Sequence, residues 1–135
     1  MDSTSIDLKG ARIALIELNQ GCLSIHLAYA TLVKTLTGST ETTRWWQAGV
    51  LQIDGAVLLS PLPVGSCLCT GGDIDDNIYT YRDMIPIPME SRGRIRCELH
   101  LEDSPEPFIA TGSTLRLEMQ GIPKYIEHLR PSEMA

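Results

Sequence analysis

The chain has 135 residues, a formal net charge of −6 and a hydrophobic fraction of 43%. That composition can bury a sizeable core without metal or disulfide staples, and it excludes a disordered chain. Seventeen acidic against eleven basic side chains argue against a nucleic-acid backbone or an anionic membrane surface as partner, because clustered cations meet both.

The start, Met1-Asp2-Ser3-Thr4-Ser5, has neither the basic residues nor the apolar run of a secretory signal, and no stretch approaches transmembrane length. The expectation is one cytoplasmic domain over residues 1–135 with Cys22, Cys67, Cys69 and Cys97 reduced. Ala11 to Leu18 is a β-prone apolar run, Asn19-Gln20-Gly21 has turn composition, and Cys22 to Tyr29 alternates with Leu23, Ile25, Leu27 and Tyr29 on one face. A tight hairpin follows. Ile25, Tyr29, Leu32 and Leu36 also fit a helical stripe, but the Ile, Tyr, Thr and Val content favours a strand. Gly38 to Thr43 reads as a polar loop.

Arg44 to Ile53 and Ala56 to Leu59 flank Asp54-Gly55, the strongest short-range hairpin signal in the chain. Pro61, Pro63, Gly65, Gly71 and Gly72 predict loop from Ser60 to Asn77, followed by a short β segment at Ile78-Tyr79-Thr80-Tyr81. Two prolines confine Ile85-Pro86-Ile87-Pro88 to a sheet edge or a polyproline-like link. Arg94 to Glu102 alternates without a fault, with Ile95, Cys97, Leu99 and Leu101 on one side. Thr114 to Gln120 repeats the pattern after a loop at Asp103 to Pro107. The inward phase of Phe108 to Ser113 does not match Leu115, Leu117 and Met119, which calls for a reset at Gly112. Ile122, Tyr125, Ile126 and Leu129 fall at i, i+3, i+4 and i+7, predicting a short C-terminal helix with Lys124, Glu127, His128 and Arg130 facing water. The fold class is therefore all-β: an antiparallel β-sandwich or flattened barrel of roughly eight short strands, closed by that helix.

Chemistry-bearing motifs are sparse. Gly71-Gly72-Asp73-Ile74-Asp75-Asp76-Asn77 offers alternate oxygen ligands, but Ile78 stands where a Ca²⁺ loop needs glycine and Met84 where it needs glutamate. A solvated acidic turn is the plainer reading, and no metal or cofactor is expected. Cys67-Leu68-Cys69 has a spacing of one and no second pair, which is not zinc spacing. His26, His100 and His128 are scattered, and Ser66 lacks the glycines of a nucleophile elbow. Trp45-Trp46 follows Arg44; on a strand at most one indole joins the core while the other takes a surface, rim or interface.

Arg44, Trp45, Trp46, Asp73, Asp75 and Asp76 are thus the candidate binding residues. The leading expectation is a non-enzymatic module that binds a protein or a small apolar ligand. One alternative is a small enzyme or metal-binding protein joining Asp75 or Asp76 to His26 or His100; another is a homo-oligomer paired through an open sheet edge.

Overall fold

The computed structural model describes residues 3–35 and 41–129. Nine strands occur among them: β1 (Ser3–Asn19), β2 (Cys22–Thr35), β3 (Thr42–Asp54), β4 (Val57–Leu58), β5 (Cys67–Asp76), β6 (Tyr79–Arg82), β7 (Met84–Ile87), β8 (Met89–Leu101) and β9 (Phe108–Leu129). All pairings are antiparallel. No helix long and apolar enough to cross a membrane occurs among the described residues.

Alternation does what the sequence requires. Ile95, Cys97, Leu99 and Leu101 of β8 are all buried, as are Leu115 and Leu117 of the adjacent β9. Residues Cys22 to Thr35 form a strand, and its hairpin with β1 turns on Gln20 and Gly21, both at positive φ, as a two-residue type I′ turn needs. Neighbouring strands run β5-β8-β9-β3-β2-β1, and the pairs Arg12 with Leu68 and Ile13 with Cys67 join β1 back to β5. The path closes on itself around a core that includes Ile6, Ile13, Leu23, Ile25, Ile53, Ile74, Leu99 and Leu115.

The β1–β5 joint is a fork. β1 leaves β5 to pair with β7, and β5 leaves β1 to pair with β6, so the two short strands fill the gap. Asp83 sits at the apex as the one residue between β6 and β7, with φ of 63°. Its carbonyl accepts the Leu8 N–H at 2.7 Å, and its own N–H donates to the Gly72 carbonyl at 2.7 Å.

Several expectations are corrected. The C-terminal helix does not form: β9 continues to Leu129, pairing with β3 as far as Thr42. Register explains the misleading spacing. Trp45 faces Tyr125 but Arg44 faces Glu127, so Ile126 is an extra bulge residue that breaks the period of two. Arg130 lies outside the described residues. Strands are also longer than expected, with 22 residues in β9 and 17 in β1.

Asp54-Gly55 makes no hairpin. Asp54 already pairs with Cys22 on one side and Thr114 on the other, so β3 has no free edge to turn back on. Instead Val57 pairs with Thr111, and β4 continues along β9 in the register that β3 left. Gly55 is a kink at φ of 63°.

The loop expected from Ser60 to Asn77 ends at Ser66. From Cys67 onward β5 is paired, and Gly71 and Gly72 are buried strand residues. A Cβ on Gly72 would collide with the Glu98 carbonyl, so glycine marks close strand approach there. The polar loop expected over Gly38 to Thr43 lies outside the described residues through Thr40, as does Leu36, while Thr42 and Thr43 begin β3. The phase reset in β9 is real, running from Phe108 and Ala110 inward to Leu115 and Leu117 inward, and the strand remains unbroken through Gly112.

Candidate functional site

The six candidate residues fall in two separate places. Arg44, Trp45 and Trp46 lie on β3 where β2 and β9 flank it. Trp45 packs against the core, and its indole N–H donates to the Thr43 hydroxyl at 2.9 Å. Tyr125 meets it edge-on at 5.3 Å, and the Lys34 ammonium sits 4.3 Å from its ring centre. Trp46 takes the opposite face. Tyr29 stacks on it at 5.1 Å, and Lys124 stands 4.9 Å from its centre. Arg44 lies 3.6 Å from Glu127, and its buried Nε has no hydrogen-bond partner. Both indoles therefore meet a ring and a cation of this same chain, which ties three strands together.

Asp73, Asp75 and Asp76 belong to β5, not to a solvated turn. Asp73 pairs with Arg82 at 3.1 Å, Asp75 accepts from the Thr80 hydroxyl at 2.7 Å, and Asp76 accepts from Ser91 and Asn77. The hydrogen bond between Asp73 and Arg82 raises the guanidinium pKa. The histidines are engaged elsewhere: His26 with Glu17 at 2.8 Å, His100 with Glu98 at 3.5 Å and His128 with Glu41 at 3.0 Å. Among the described residues no three His, Cys, Asp or Glu side chains gather as a metal site would require.

A concave site lies elsewhere, where the β4–β5 loop meets the β8–β9 loop. The first loop is pinned at its start. Leu59 N–H donates to the Ile109 carbonyl at 2.9 Å, and the Ser60 hydroxyl accepts from Ile109 N–H at 2.7 Å. The second is held by Glu102 N–H on the Leu68 carbonyl at 2.9 Å and by the Ser104 hydroxyl on the Glu106 carbonyl at 2.7 Å. Between them lies a cavity of about 530 Å³, walled by Pro61, Leu62, Pro63 and Val64 on one side and Pro105 and Pro107 on the other. Leu101, Cys67 and Phe108 also line it. Four prolines fix φ in both walls, so the cleft is largely preformed.

Asp103 and Glu106 are the charged groups in the lining, which among the described residues includes no Lys, Arg or His. Burial raises the Cys67 pKa, which keeps the thiol protonated and a poor nucleophile. In the sequence both walls have only loop composition. The signal that marks them is the pair of Pro-x-Pro segments, Pro61-Leu62-Pro63 and Pro105-Glu106-Pro107, which only the fold brings together.

Comparison with protein-family models, with curated proteins and with solved structures finds no match to this chain.

Proposed function

We propose that this chain is a non-enzymatic binding module whose proline-walled cleft takes a small apolar ligand carrying a positive charge. One observation carries the reading: a proline-walled surface cleft of about 530 Å³, more apolar than polar, whose charged lining residues are both carboxylates. That volume falls within the range of small-molecule sites, which are mostly apolar with a few polar groups that orient the ligand. Asp103 and Glu106 would supply that orientation, favouring an ammonium or amidinium group over a carboxylate.

The enzymatic alternative needs Asp75 or Asp76 beside His26 or His100. Asp75 and Asp76 bond to Thr80, Ser91 and Asn77, whereas the histidines bond to glutamates. Binding is the reading that the cleft favours.

The test is a thermal-shift and calorimetric comparison of three probes sharing one apolar skeleton: an aryl-alkyl amine, the neutral alcohol and the carboxylate. A ligand that binds the native state raises Tm, so the amine should raise it most and the carboxylate least. Asp103→Asn combined with Glu106→Gln should erase the difference between amine and alcohol. Equal shifts from amine and carboxylate, or no shift from any probe near its solubility limit, would overturn the assignment.

A further inference from the structure

Hydrogen-bond donors are scarce in the proline-walled cleft. Pro61, Pro63, Pro105 and Pro107 have no N–H to offer. The Ser60 hydroxyl accepts the Ile109 N–H at 2.7 Å and turns its own proton to the Ile109 carbonyl at 3.4 Å. Ser104 gives its proton to the Glu106 carbonyl at 2.7 Å. Ser66 is exposed, and the Cys67 thiol donates only weakly. Asp103 and Glu106, the charged groups of the lining, are acceptors when ionised.

The apolar surface has a character of its own. Two Pro-x-Pro segments supply it from facing walls, and Phe108 also lines the cleft. Pyrrolidine C–H bonds beside the amide nitrogen are polarised positive, whereas an aromatic ring presents a negative face. Prolines pack on aromatic rings for that reason, as when proline-rich peptides dock in aromatic-lined grooves. Here the prolines belong to the receptor, so the complementary ring belongs to the ligand.

We propose that the cleft selects an arylalkyl amine whose only hydrogen-bonding group is its ammonium, with the ring held between Pro61-Leu62-Pro63 and Pro105-Glu106-Pro107. An ammonium carries three donors and no acceptor, the complement of a lining rich in acceptors. A carboxylate, ketone or ether on the same skeleton would bring acceptors into a cleft with few donors to meet them, and each unmatched acceptor costs affinity. Amino acids, sugars and nucleosides are disfavoured on the same ground. This selectivity rests on the cleft being the ligand site, and it narrows what that site takes.

Titration of the full chain, followed by proton NMR, tests the selectivity with phenethylamine, its cyclohexyl counterpart, and the phenyl compound bearing a ketone beside the ring. Burial of apolar surface alone would favour the cyclohexyl amine, the more hydrophobic of the first two, so the order of affinities separates the two physical causes. The phenyl amine should bind about two- to tenfold more tightly than the cyclohexyl amine, the range for an aromatic contact beyond its area burial. The ketone should bind more weakly than the phenyl amine. Ring-current shielding in the phenyl complex should move proline ring protons of both walls upfield. Equal affinities, or tighter binding of the cyclohexyl amine, would overturn the aromatic preference and leave the cleft a cation site. Undiminished binding of the ketone would overturn the exclusion of acceptors, and phenyl binding without proline shifts would place the ring outside the cleft. Silence from all three amines would overturn this selectivity and the cleft assignment together.

Discussion

Asp83 grips Gly72 twice: its backbone N–H donates to the Gly72 carbonyl at 2.7 Å, and its carboxylate accepts the Gly72 N–H at 3.0 Å. The other carboxylate oxygen lies 3.4 Å from the Lys9 ammonium. One residue thereby links β1, β5, β6 and β7 at the fork. The Gly72 N–H first, and then Lys9, hold the Asp83 carboxyl below its usual pKa.

A lowered native pKa means that Asp83 stabilises the fold above the ordinary carboxylate pKa, and that this contribution disappears as pH falls through the lowered value. Asp83→Ala should cost about 1.5–3 kcal/mol at neutral pH, the range for a hydrogen bond to a charged group. Asp83→Asn should lose less. Denaturant titrations should show the gap between wild type and Asp83→Asn narrowing below about pH 4. A gap independent of pH would contradict the charged contact.

Gly72→Ala and Gly112→Ala should both destabilise, by about 2–3 kcal/mol each. Neither glycine is at positive φ, so alanine suits both backbones and should gain up to about 1 kcal/mol through the unfolded chain. Sterics win, because the added Cβ would meet the Glu98 carbonyl at one position and the Ile53 side chain at the other. Gly10→Ala is the contrast: open space surrounds its Cβ, and only the backbone strain at φ of 85° opposes the change.

Thiol chemistry should divide the cysteines by burial. Cys69 and Cys97 are fully inside, and desolvation pushes their pKa values up to about 11 and about 12. Cys22 and Cys67 are part-exposed. A chromogenic disulfide reagent should modify Cys22 and Cys67 in the native protein and reach Cys69 and Cys97 only on unfolding, as peptide mapping would show. A ligand in the cleft should slow Cys67 and leave Cys22 unchanged.

The tryptophans should separate by face. Trp45→Ala removes a side chain packed on the core and should cost about 2–3 kcal/mol, below the full-burial range because the indole is half-buried. Trp46→Ala removes a stacking and a cation–π contact and should cost about 1–2 kcal/mol. Equal losses in urea titrations would deny that only one indole joins the core.

Strict alternation made β8 and the neighbouring part of β9 legible, because a half-buried strand needs nothing more than a period of two. The Gln20-Gly21 turn was equally plain. What misled was local chemistry serving a non-local purpose. Asp54-Gly55 has the residues of a reversal, yet β2 and β9 occupy both sides of Asp54, leaving only a kink. Gly71, Gly72 and the aspartates of β5 are poor strand formers that pair nonetheless, with β8, β6 and Asp83 around them. The bulge at Ile126 mimicked a helix. The cleft was least legible, since its walls lie far apart in the sequence, Pro61 to Val64 against Pro105 to Pro107, and neither loop alone encloses anything.

The direct joint between β1 and β5 consists of Arg12 with Leu68 and Ile13 with Cys67, whereas β1 and β2 pair over two long stretches, Ser3 to Asp7 and Arg12 to Asn19. A hoop fastened by so small a clasp should breathe there before it melts anywhere else. Transient unfastening would bring water to Ile13 and Cys69 while the long hairpins stayed intact, so amide exchange at the clasp should outpace that in the middle of β2 and β3.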